Sequence, residues 1–66
     1  MNRYHLQVMT GHLEPGYVGL VSFTVEAEAF TIEHNTYMFY VVDNNNRQVV
    51  AAYPMNVTII VKIEKI

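Results

Sequence analysis

The sequence predicts an all-β fold: a small antiparallel meander of five or six strands, either barrel-like or an open sheet packed on a partner chain. Three observations predict it. Apolar and polar residues alternate with a period of two near both ends of the chain. β-branched and aromatic residues dominate the stretches between them. Asp43-Asn44-Asn45-Asn46 separates two β-rich runs, Thr36–Val42 and Arg47–Tyr53, and Asp and Asn tolerate the positive backbone angles of a tight hairpin.

Asn2 to Met9 opens the chain as a half-buried strand, with Tyr4, Leu6 and Val8 on one face and Arg3, His5 and Gln7 on the other. Thr10 to Gly16, with Gly11, Pro15 and Gly16, reads as a loop. Tyr17 to Ile32 follows. Val21, Phe23, Val25 and Ala27 share one parity, whereas Phe30 and Ile32 take the other. A change of face on a continuing strand calls for a bulge or a short break, placed near Glu28-Ala29. Glu-Ala-Glu-Ala also suits a helix over Thr24–Glu33. Strand is preferred, because Phe23, Val25, Phe30, Thr31 and Ile32 all favour it.

Glu33-His34-Asn35 reads as a turn into the central hairpin. Pro54 ends that hairpin, since proline cannot donate to a sheet ladder. Val57 to Ile63 is the last strand, with Val57, Ile59, Val61 and Ile63 on one face.

The 66 residues form a single small domain. A chain this short has a marginal core and ordinarily needs a staple. It has no cysteine, so disulfides and thiolate metal sites are excluded. Apolar residues make up 52% of it and charged ones 15%, against about 25% charged in an ordinary soluble domain. Both faces of the central hairpin are apolar: Met38, Tyr40 and Val42 on one, Tyr37, Phe39 and Val41 on the other. One chain cannot readily cover both, so a homo-oligomer is expected, most simply a dimer.

A net charge of −2 with scattered cations argues against nucleic acid as a partner. No stretch is apolar and long enough to span a bilayer, and none reads as a signal peptide. A cytoplasmic protein with no membrane association is expected.

Candidate chemistry is sparse. His5, His12 and Glu14 could supply metal ligands, but their spacing matches no metal motif, and exposed histidines are the simpler reading. The Asp43–Asn46 run lacks the glycine and distal glutamate of a calcium loop. Glu26 and Glu28 share a strand parity, and Glu33 follows, without any nucleophile beside them. Ser22 is the sole serine, and the glycines do not cluster into a phosphate loop. No enzyme, cofactor or metal is expected. Tyr37, Tyr40 and Tyr53, with Arg47, are the candidate partner- or ligand-binding residues, because tyrosine suits surfaces that are part wet and part apolar. Core packing is the competing use of these rings.

The run Phe23-Thr24-Val25-Glu26-Ala27-Glu28-Ala29-Phe30-Thr31-Ile32-Glu33, then Phe39-Tyr40, Val49-Val50-Ala51-Ala52-Tyr53-Pro54 and Ile63-Glu64-Lys65-Ile66, resembles a loose group of very small proteins of Gram-positive bacteria and their phages. The resemblance covers about the last two-thirds of the chain and transfers no catalytic residue. It implies a phage or prophage accessory protein that binds a host or phage protein, such as a component of a bacterial defence system. An oligomer holding a nucleotide-like ligand and a structural subunit of a phage assembly are the alternatives. Tyr53-Pro54-Met55-Asn56-Val57 also resembles the ending of SH3 domains, without that family's acidic loop and tryptophan pair.

Overall fold

The computed structural model describes residues 1–10 and 19–66. The expected loop around Gly11, Pro15 and Gly16, with His12, Glu14 and Tyr17, lies outside the described residues. Among the described residues, six strands run in the order β1 (Asn2–Thr10), β2 (Gly19–Ala27), β3 (Ala29–Glu33), β4 (Thr36–Asp43), β5 (Asn46–Pro54) and β6 (Thr58–Lys65). A single 3₁₀ turn, Met55–Val57, separates the last two.

The strands form two antiparallel sheets, ordered β2-β1-β6 and β3-β4-β5, with no closed barrel. Only β3 to β5 are a plain meander. The chain then crosses back through the 3₁₀ turn, and β6 pairs with β1 rather than with β5.

The change of parity near Glu28 marks the corner between the sheets. β2 ends at Ala27, Glu28 bends, and β3 begins at Ala29. The Glu28 amide donates to the Tyr40 carbonyl at 2.9 Å, which ties the corner to the central strand of the second sheet. No helix forms over 24–33, because the β-favouring side chains there find ladder partners on β1 and β4. Both hairpins of the second sheet turn on two residues of positive φ: His34 (51°) and Asn35 (58°), then Asn44 (51°) and Asn45 (65°). Two such residues in a row match the twist of the flanking strands.

The core lies between the inner faces of the two sheets. Tyr4, Leu6, Ala27 and Phe39 are buried, with Phe23, Val25, Phe30, Tyr37, Ala51, Tyr53 and Ile60 packed around them. Six aromatic rings form one connected cluster. Phe39 touches Tyr4 (5.1 Å between centroids), Phe30 (5.7 Å) and Tyr53 (6.4 Å). Phe30 reaches Tyr37, and Tyr53 reaches Phe23. Tilted and edge-on pairs of this kind add about 0.5–1.5 kcal/mol each beyond burial.

More large apolar side chains lie exposed than buried. The dimensions show why. The fold measures 47 × 25 × 13 Å with a radius of gyration of 13.3 Å, where a compact chain of this length would have about 11 Å.

Each central strand faces a bulge in an edge strand. Register shifts between Phe39 and Tyr40 leave Val50 of β5 as an extra residue, and between His5 and Leu6 they leave Val61 of β6. The second bulge corrects the expected facing of the last strand. Ile60 pairs with Leu6 on the core side, and Ile59 pairs with Gln7 on the outside. Past Val61, Ile63 returns to the side of Tyr4. Val57 belongs to the 3₁₀ turn and not to the strand.

Candidate functional site

The two outer faces differ in kind. On the sheet of β1, the residues that point away from the core are Arg3, His5, Gln7 and Met9, with their partners Glu26, Thr24, Ser22 and Leu20 on β2 and Glu64, Lys62 and Ile59 on β6, of which Met9, Leu20 and Ile59 are exposed apolar side chains. Their charges satisfy one another. Arg3 sits between Glu26 (3.7 Å) and Glu64 (3.4 Å), and the His5 Nε2 lies 3.1 Å from the same Glu64 oxygen. The hydrogen bond with His5, aided by the nearby charges of Lys62, His5 and Arg3, holds the Glu64 carboxyl below its ordinary value of 4.5. The centre of this face is charged and solvated.

A shallow depression of about 320 Å³ lies across it, lined by His5, Gln7, Ser22, Thr24 and Val61. It brings the sole serine near the histidine that Glu64 engages. Among the described residues neither Ser22 nor Thr24 hydrogen-bonds the His5 ring, so no nucleophile and base are joined there.

The outer face of the β3-β4-β5 sheet is apolar. Cross-strand register sets its rows: Glu33, Thr36 and Pro54; Thr31, Met38 and Ala52; Ala29, Tyr40 and Val49; Val42 and Arg47. Val42 and Val49 are 52% and 50% exposed, and Met38 and Tyr40 are half-buried. The Arg47 guanidinium lies over the Tyr40 ring, 4.5 Å from its centroid. The Thr31 hydroxyl donates to the Glu33 carboxylate at 3.2 Å, which places Glu33 on this same face. Among the described residues, Glu33 and Arg47 are the only formal charges on it.

The four residues singled out in the sequence do not form one site. Tyr37 and Tyr53 are direct cross-strand partners on the inner face, packed against Phe30 and Phe23. Tyr40 and Arg47 lie on the opposite face. Met38, Val49 and Ala52, which complete the Tyr40 surface, went unnamed as site residues. The shared parity of Met38, Tyr40 and Val42 was their signal.

The carboxylates also separate. Glu26 lies on β2, Glu28 in the corner and Glu33 at the end of β3, so no acidic pair forms on one strand face. Of the proposed metal set, His12 and Glu14 lie outside the described residues, and no group of three potential ligands occurs among the described ones. None of the described helices is long and apolar enough to cross a membrane.

Compared with protein-family models, curated proteins and solved structures, the chain matches none.

Proposed function

We propose that this chain is a non-enzymatic binding module of the phage or prophage accessory type, which presents the outer face of its β3-β4-β5 sheet to another protein. A concrete version blocks a component of a bacterial defence system. The contrast between the two outer faces carries this reading. One has paired charges, Arg3 and His5 with Glu26 and Glu64, at its centre, and its exposed apolar side chains Met9, Leu20 and Ile59 are set around them. The other exposes Val42 and Val49 beside Met38, Tyr40 and Ala52. Burying one large apolar side chain gains roughly 1.5–3 kcal/mol when it starts fully exposed, so covering these half-exposed side chains is favoured. Three of the four edge strands are poorer docking sites. β5 and β6 carry bulges, β6 carries Lys62 and Lys65, and β3 has five residues. Tyr37, Tyr40 and Tyr53 divide between two faces, so one chain alone does not gather the three rings into a stacking groove for a nucleotide-like ligand.

The test is a photo-crosslinking amino acid placed at Val49 or, as the control, at Thr24 on the polar face. Each protein is irradiated both purified and in a Gram-positive lysate. Protein adducts from Val49 and none from Thr24 are expected. No adduct from Val49 in either mixture would refute the reading.

A further inference from the structure

We propose that the occupant of this face is a second copy of the same chain, related by a two-fold axis that sets each Arg47 against the partner's Glu33. This rests on the outer face of the β3-β4-β5 sheet being an interaction surface.

The placement of charge identifies the occupant. β3 and β5 are the two edge strands that flank β4. Glu33 stands in the row of Thr36, and Arg47 in the row of Val42. The two charges therefore occupy diagonally opposite corners of the face, with only uncharged residues between them. Six residue steps along β4, from Thr36 to Val42, separate their rows, about 20 Å at roughly 3.4 Å per residue. That is beyond the screening length of about 8 Å at physiological salt, so the two cannot neutralise each other within one chain.

A two-fold axis lying in the plane of the face exchanges its corners. It brings each Arg47 to the partner's Glu33 and lays the central patch of Met38, Tyr40 and Val49 against the same patch of the partner. A face with one cation and one anion at opposite corners is complementary to itself. The stacking of Arg47 on Tyr40 fixes the cation in the plane of the contact. The Thr31 hydroxyl does the same for Glu33.

Size sets the strength. The face spans about 27 Å along β4 and about 14 Å across three strands, a flat footprint near 400 Å². A standard interface buries about 800 Å² per partner, so the dimer is a weak, concentration-dependent one.

Sedimentation equilibrium from about 1 μM to about 1 mM covers the expected micromolar range. Wild type is expected to pass from monomer to dimer within it. Arg47→Glu and Glu33→Arg, each alone, place like charges at both ends of the contact and weaken the dimer by about tenfold or more. An equimolar mixture of the two variants restores opposite charges at both ends, so a heterodimer of near wild-type strength is expected. Circular dichroism checks folding, and Arg47→Gln with Glu33→Gln replaces any swap that unfolds.

A wild-type monomer at every concentration overturns the proposal. So does a dimer indifferent to both swaps, or a mixture that fails to associate. If the purified chain stays monomeric while Val49 crosslinks to a lysate protein, the dimer falls and the binding module stands. If Val49 crosslinks to nothing, both fall.

Discussion

Arg47 lies over Tyr40 on a sheet face that also carries Met38, Val42 and Val49, its guanidinium carbon 4.5 Å from the ring centroid. Tyr40 contributes apolar area to the face, and Arg47 supplies its one cation. Neither belongs to the core, which Phe39 occupies on the other side of the same strand.

Binding and stability therefore separate by face. Tyr40→Ala is expected to change stability by about 1 kcal/mol or less, since it removes one exposed cation–π contact. The same substitution should abolish association. Thermal melts and sedimentation on one sample check both.

Phe39→Ala should do the opposite. Phe39 is 0% exposed at the centre of the aromatic cluster. Truncating a buried phenylalanine costs about 3–5 kcal/mol. Total stability for 66 residues is roughly 3–10 kcal/mol. The variant should be largely unfolded by circular dichroism at 25 °C, and a cooperative melt near that of wild type would contradict this packing.

The hairpin tip gives a backbone prediction. Asn45 has φ 65°. A β-branched residue there incurs roughly 1–2 kcal/mol of left-handed strain, whereas glycine incurs none. Urea titration should rank Asn45→Gly at or above wild type and Asn45→Val clearly below it.

Acid should loosen the polar face first. The Glu64 carboxyl titrates below 4.5 because of its hydrogen bond with His5 and the neighbouring charges of Lys62, His5 and Arg3. A carboxyl depressed in the folded state contributes stability that is present above its unfolded pKa. That contribution is lost as pH falls through the folded value. Wild type should therefore lose stability below about pH 4.5, and Glu64→Gln should lose less over the same interval. Equal acid slopes in denaturant titrations would show that the pair does not couple to folding.

Thr58 offers a stabilising change. Its hydroxyl is buried and finds no hydrogen-bond partner among the described residues. Thr58→Val keeps the shape and removes an unpaired polar group, a gain of about 1 kcal/mol. A lower melting temperature for the valine variant would count against this environment.

Much of the fold was legible because alternation was strong where one face is polar. Arg3, His5 and Gln7 against Tyr4, Leu6 and Val8 placed β1 correctly. The parity change between Ala27 and Phe30 located the corner. The two bulges were not legible. Val49-Val50-Ala51-Ala52 and Ile59-Ile60-Val61 are apolar at every position, so inserting one residue leaves no mark on the pattern. The candidate site suffered for a related reason. Tyr37 and Tyr40 were grouped by residue type, although their opposite parity places them on opposite faces. Glu33, read as a turn residue, closes β3 and points to the same side as Thr31, which only the strand's true end reveals.

The most direct test of the central claim is molar mass by light scattering across a dilution series, for wild type beside Tyr40→Glu. The account predicts that wild type rises from the mass of one chain toward twice that mass as concentration increases, while the variant stays at one. Two proteins that both remain monomeric throughout, or that dimerise alike, would contradict it.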